Sequence, residues 1–186
     1  MIMNTENEIV KKVDRPIVFV GMMGSGKSHA GEILAEMLGF PFYDSDRLIE
    51  EEQALTVADI FEKQGESYFR KLESDKIMML LNIRKPCIIS TGGGAVINPT
   101  VLTAIKEYAF SIWLMSDVPT ILKRIENDGK RPLLDVLNRE TRLGELLRVR
   151  KPLYAQADIK IDNSDADDDA LRQKLYKALY EFLNLR

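Results

Sequence analysis

Gly21, Gly24, Gly26, Lys27 and Ser28 fill every fixed position of the pattern G-x-x-x-x-G-K-S/T within the stretch GMMGSGKS. At that spacing, with Ser25 inside the loop, backbone N–H groups can turn inward around phosphate oxygens, because glycines leave the concave side clear. The helix that follows would point its N-terminus at the same charge. Lys27 is placed to reach the β- and γ-phosphates of a nucleoside triphosphate, and the Ser28 hydroxyl to hold magnesium. Asp44 and Asp46 form a second constellation. The third apolar run ends in Ser90, Thr91 and Gly92 without an acid, so the carboxylate expected beside a phosphate-bound magnesium falls to this pair. One of the two can address metal while the other addresses an acceptor hydroxyl. Asp46, nearer the helices that follow, is the candidate general base, and helix capping is the competing role for either.

The remaining chemistry is anionic recognition. Gly92, Gly93 and Gly94 in succession cost more chain entropy than a plain connector warrants, which points to close backbone approach to a ligand. Arg70 and Glu73 share a helix face at i and i+3, where a local ion pair is the plain reading. Arg70, Arg131 and Arg150 carry forks that suit a carboxylate or phosphate. Together these residues describe an ATP-dependent kinase acting on a small, anionic, hydroxylated acceptor.

The elements that must position them are legible from periodicity. Ile17-Val18-Phe19-Val20 has no polar face, as in a strand buried on both sides of a parallel sheet. From Lys27 the apolar spacing becomes helical and stops at Gly39. Phe40 to Tyr43 is a short strand that delivers Asp44 and Asp46 to its C-terminal end. Three helices follow, with Thr56 a cap and Gly65 a stop, and the insertion at 47–82 is placed to make a substrate-side unit. Further strands are expected at Cys87–Ser90, Ala109–Met115 and Ile159–Ile161. Asp117 and Pro119 start one helix, and another runs from Arg139 to Ala157, with Pro152 expected to kink or split it at Lys151. Residues 1–15 are expected to form a flexible arm, 16–186 a single domain, and 127–138, rich in turn formers around Lys130 and Arg131, a lid.

Composition narrows the class. A chain of 186 residues, 45% apolar and 30% charged, suits one globular core. The formal charge of -3 gives no basic field for nucleic acid. No stretch approaches a membrane span or a secretory leader, and Cys87, the single cysteine, reads as a buried small hydrophobe. A cytoplasmic location is the expectation.

The chain resembles the shikimate kinase family over about residues 16 to 184. The likeness is carried by GMMGSGKS at 21–28, Asp44-Ser45-Asp46, Phe69-Arg70-Lys71-Leu72-Glu73, Thr91-Gly92-Gly93-Gly94, Arg131-Pro132-Leu133-Leu134, and Arg150 with Tyr154 ahead of Ala157-Asp158. The resemblance implies a three-layer α/β/α phosphate-loop kinase with a central parallel five-stranded sheet in the order 2-3-1-4-5, working as a monomer. It implies that ATP and Mg2+ are the cofactors and shikimate the acceptor, with no nucleic acid or membrane partner. Asp46 would engage the phosphorylated hydroxyl, Arg70 and Arg150 would grip the carboxylate, and Gly92, Gly93 and Gly94 would also bind shikimate. Asp44 would support magnesium beside Ser28, Arg131 would enter from the closing lid, Arg124 would stack on adenine, and the loop around Asn163 and Ser164 would border the base. Phe61 and Phe69 would either wall the acceptor pocket or pack the insertion helices. His29, the only histidine, stands where the family commonly has Thr, and it either alters nucleotide contacts or packs outside the nest. The competing functions are another phosphate-loop kinase resembling gluconate kinase, and a non-catalytic nucleotide-binding protein.

Overall fold

Ile17–Val20 (β1) is buried throughout because it has helices over both faces: Ile17 and Phe19 point to one layer, Val18 and Val20 to the other. The computed structural model describes residues 8–126, 138–164 and 167–184. β1 pairs in parallel with Ile88–Ser90 (β3) on one side and Phe110–Met115 (β4) on the other. Phe42–Asp44 (β2) lies outside β3, and Ile159–Asp162 (β5) outside β4, giving the order β2-β3-β1-β4-β5. Every pairing is parallel, as expected of strands separated by helices. The register sets Asp44 and Phe19 level with Ser90, so β2, β3 and β1 end at one edge of the sheet.

One layer packs Ala30, Ile33 and Leu34 of α2 (Lys27–Leu38) and Leu171, Leu175 and Leu179 of α9 (Asp168–Asn184) against the sheet. The other packs Ile77 and Leu80 of α5 (Glu66–Leu81), Val101 and Ile105 of α6 (Pro99–Tyr108), and Tyr154 of α8 (Arg139–Tyr154). Each large apolar side chain so buried contributes about 1.5–3 kcal/mol. Between β2 and β3, α3 (Ser45–Gln53), α4 (Val57–Gln64) and α5 form the helical insertion around Ile49, Ile60 and Phe69. Thr56 starts α4 with a reciprocal cap: its Oγ1 accepts from Asp59 N at 3.1 Å while Asp59 Oδ2 accepts from Thr56 N at 3.2 Å. After β4, α7 (Val118–Glu126) opens with Asp117 Oδ1 accepting from Thr120 N at 2.9 Å. Among the described residues no helix is long and apolar enough to cross a membrane.

Two expectations are corrected. Within the supposed flexible arm, residues 8–12 are helical (α1), and Ile9 and Val13 enter the α2/α9 layer at 2% and 3% exposure. Their i, i+4 spacing gives this short segment one apolar face to bury. Of the two effects expected of Pro152, the split at Lys151 does not occur, since α8 runs on to Tyr154. The missing N–H removes only the bond to Arg148 O, and the helix closes beyond it with Ala155 N donating to Lys151 O at 2.9 Å. The expected lid, 127–138, lies outside the described residues apart from Asn138.

Candidate active site

The nucleotide end is built where β1 runs into α2. Gly21 has φ of 143°, and a Cβ there would come within 2.6 Å of Leu114 O on the neighbouring strand, so the exit from β1 requires glycine. Gly26 precedes α2 in the left-handed region, with φ of 92°, and supplies no side-chain cap. The first turn of α2 also holds no acid, which leaves its N–H groups and positive end to an anion. Lys27 is nearly buried and folds back over the loop, with Nζ donating to Met22 O at 2.8 Å.

Asp44 takes the capping role weighed for it and also faces Ser28. Oδ1 accepts from the backbone N–H groups of Asp46 and Arg47 at 3.0 and 3.2 Å, capping α3. Oδ2 accepts from Ser28 Oγ at 2.5 Å, and Ser28 Oγ lies 3.4 Å from Ser90 Oγ. Paired hydroxyl and carboxylate oxygens are the hard donors magnesium takes. The described residues hold no group of three His, Cys, Asp or Glu able to bind a metal alone. The donor set therefore fits a magnesium ion that draws its other ligands from water and phosphate.

The other end is organised by the three glycines. Thr91 anchors them to β1, its N and Oγ1 both donating to Phe19 O. A Cβ on Gly92 would overlap the Glu73 carboxylate and reach within 2.9 Å of Asp46 Oδ1. One on Gly93 would reach within 2.8 Å of Met23 N, in the phosphate loop itself. One on Gly94 would collide with the Arg70 guanidinium. Gly93 O accepts from Arg150 Nη1 at 3.2 Å and from the buried Tyr154 hydroxyl. Burial pushes the Tyr154 phenol up to about 12, so it stays a proton donor.

Arg70 is a local ion pair and more. Nη1 donates to Glu73 Oε2 at 2.7 Å and Nη2 to Glu66 Oε1 at 3.2 Å, while the guanidinium carbon lies 5.8 and 5.4 Å from the ring centroids of Phe61 and Phe69. Phe61 and Phe69 serve both proposed ends, packing the insertion and walling the cavity. Glu73 is a residue whose i, i+3 spacing marks it only as Arg70's partner. Its side chain is 3% exposed, and Oε1 has no hydrogen-bond partner among the described residues. Burial raises its pKa against the opposing pull of Arg70, Arg150 and Lys27.

Both ends open into one cavity of about 560 Å³. Among the described residues, every expected site residue lines it except Gly21, Ser25, Asn163 and Ser164. His29 stands at the cavity's edge, its Nε2 2.7 Å from Asp168 Oδ1, with both side chains more than half exposed. Arg124 donates through Nη1 to Ser25 O at 3.1 Å and through Nη2 to Asn163 O at 2.8 Å, in-plane bonds that leave the guanidinium face for stacking. Arg131 lies outside the described residues.

A parallel α/β/α sheet whose strand ends hold a phosphate-loop nest beside a second, cationic recognition wall defines a nucleotide-binding kinase class. The Shikimate kinase family model matches residues 23–180. The chain belongs to the shikimate kinase family. It is 36% identical over 180 residues to the shikimate kinase of Bartonella henselae, covering 96% of this chain and 85% of that one. The structure of the Acinetobacter baumannii shikimate kinase in complex with shikimate superposes with a TM-score of 0.85 at 37% identity, covering 92% and 94% of the two chains. A gluconokinase from Sinorhizobium meliloti 1021, at 17% identity and a TM-score of 0.57 over 93% and 94% of the chains, shares the fold alone.

Proposed function

We infer that the protein transfers the γ-phosphoryl group of ATP to the 3-hydroxyl of shikimate, giving shikimate 3-phosphate and ADP. The observation that supports this reading is the close approach of Gly93 to the glycine-rich loop, where an added Cβ would come within 2.8 Å of Met23 N, with both residues lining one cavity. In-line transfer needs the two reactants held in one water-poor space. The substrate itself is assigned from membership of the family and from Arg70 and Arg150 lining the same cavity, with forks that match a carboxylate.

Arg70 and Arg150 hold the carboxylate and turn the acceptor hydroxyls toward Asp46. Asp46 accepts the proton of the 3-hydroxyl as its oxygen bonds to the γ-phosphorus and the bond to the β-phosphate oxygen breaks, releasing ADP. Lys27 offsets charge on the transferring phosphoryl. Ser28 and Asp44 would hold Mg2+, which when bound neutralises β- and γ-phosphate charge. Arg131 is assigned the corresponding cationic role from the 127–138 segment, acting as a lid that excludes water. Arg124 takes the adenine face. Burial pushes the Cys87 thiol up to about 11, so it stays protonated near neutral pH. A cytoplasmic, monomeric enzyme is proposed from the family likeness.

The test is ADP release measured with shikimate, quinate and gluconate as acceptors. Stimulation by shikimate above the other two supports the assignment. Stimulation by gluconate alone would favour the related kinase class, and stimulation by none a non-catalytic nucleotide-binding role.

A further inference from the structure

Three side chains converge on one carbonyl behind the phosphate loop. Ser25 O accepts from Asn163 Nδ2 at 2.9 Å, Arg124 Nη1 at 3.1 Å and Ser116 Oγ at 3.4 Å. The donors come from the end of β5, from α7 and from the end of β4, and Asn163 and Ser116 are buried. The cluster is closed on itself: Arg124 Nη1 also donates to Ser116 Oγ at 3.2 Å, and Arg124 Nη2 to Asn163 O at 2.8 Å. Asn163 is fixed to the sheet edge by its own N–H, which donates to Met115 O at 2.8 Å. Burying this amide leaves Oδ1 without a partner among the described residues, a cost that an apolar side chain would not carry.

A trans peptide holds its C=O and N–H on opposite sides. Donors that grip Ser25 O from behind therefore turn the Gly26 N–H away from themselves, toward the side on which Gly26 and Lys27 line the cavity. A cationic donor on the oxygen also polarises the peptide and strengthens its N–H as a donor. The fit leaves no slack, since a Cβ on Gly26 would lie 3.0 Å from Asn163 Nδ2.

We propose that Asn163, with Ser116, is a positioning residue for the nucleotide phosphates: it presets the Ser25–Gly26 peptide of the phosphate loop and ties that peptide to the Arg124 side, where the base is expected. The proposal rests on the ATP-site reading above. It differs from a role for residues 162–164 in bordering the base alone, and a ligand without a base separates the two. Binding of ADP and of inorganic tripolyphosphate should be measured by calorimetry for the wild type, Asn163→Ala and Ser116→Ala, with shikimate binding as the check on folding. Loss of one charge-free donor bond predicts that Asn163→Ala weakens tripolyphosphate and ADP by a similar factor, roughly tenfold. Ser116→Ala, at the longer distance, should weaken both less. Shikimate affinity should stay within about twofold for both variants. If tripolyphosphate binds both variants as it binds the wild type while ADP weakens, the proposal is overturned and the loop serves the base. If Asn163→Ala fails to bind shikimate, Ser116→Ala decides alone by the same comparison. A wild type that binds neither probe removes the ATP-site reading itself, whereas intact wild-type binding with unchanged variants removes only the positioning role.

Discussion

Ser28 Oγ donates to Asp44 Oδ2 at 2.5 Å while the other oxygen of the same carboxylate caps α3. One side chain thus fixes the first turn of the substrate-side helices and completes the oxygen pair beside the phosphate nest. Asn caps helices about as well as Asp but brings no charge to a metal. Asp44→Asn is therefore expected to melt within a few degrees of the wild type, yet to need at least roughly tenfold more Mg2+ for half-maximal activity. Asp44→Ala should lose the metal response and about 1 kcal/mol of stability as well. Magnesium titrations of activity with parallel thermal melts check both.

Two of the three glycines, Gly93 and Gly94, should fail differently when given a methyl group. Gly93→Ala meets backbone, at Met23 N, whereas Gly94→Ala meets the far end of Arg70, which can swing aside. Gly93→Ala is expected to impair nucleotide and acceptor binding together, at a cost of about 1–3 kcal/mol in stability. Gly94→Ala should raise shikimate KM with ADP affinity and melting temperature near those of the wild type. Equal losses in both variants would contradict the packing described.

Glu73 supplies a pH dependence. Its folded pKa lies above the ordinary 4.5, because burial penalises the carboxylate more than Arg70 favours it. The folded protein therefore binds more protons than the unfolded chain in the window above 4.5. The stability Glu73 contributes is full below that pH and is lost as pH rises through its folded value. Denaturant melts of the ligand-free protein across this window should show that fall, and Glu73→Gln should flatten it. A Glu73→Gln profile parallel to the wild type would assign the dependence to other groups.

The His29 to Asp168 contact joins two side chains that are 55% and 67% exposed. Such pairs contribute about 0–1 kcal/mol. His29→Thr should melt within a few degrees of the wild type and keep turnover, since phosphoryl transfer needs no imidazole. Complete loss of turnover in a folded His29→Thr protein would make the ring part of the nucleotide site.

What the sequence discloses divides along the range of the interactions. The strand of Ile17–Val20, the helix that starts at Lys27 and the Thr56 cap are local, set by residue type and spacing over a few positions, and each stands where it was expected. The convergence of Arg70, Gly93 and Arg150 is long-range. It is legible only through the family motifs, because nothing in their spacing brings α5, the glycine turn and α8 together. Glu73 is hidden for a related reason: an i, i+3 partner of arginine reads as a surface pair until Gly92, lacking a side chain, is seen to admit its carboxylate. Likewise α1 is missed because two apolar residues, Ile9 and Val13, make a face only once α2 and α9 are there to receive it.

The central claim is tested most directly by the product. Protein incubated with ATP, Mg2+ and shikimate should yield one new phosphate ester, identified by 31P and 1H NMR as carried on the oxygen at C3, in equal amount to the ADP formed. ADP accumulating without that ester, or an ester at another hydroxyl, would contradict the account.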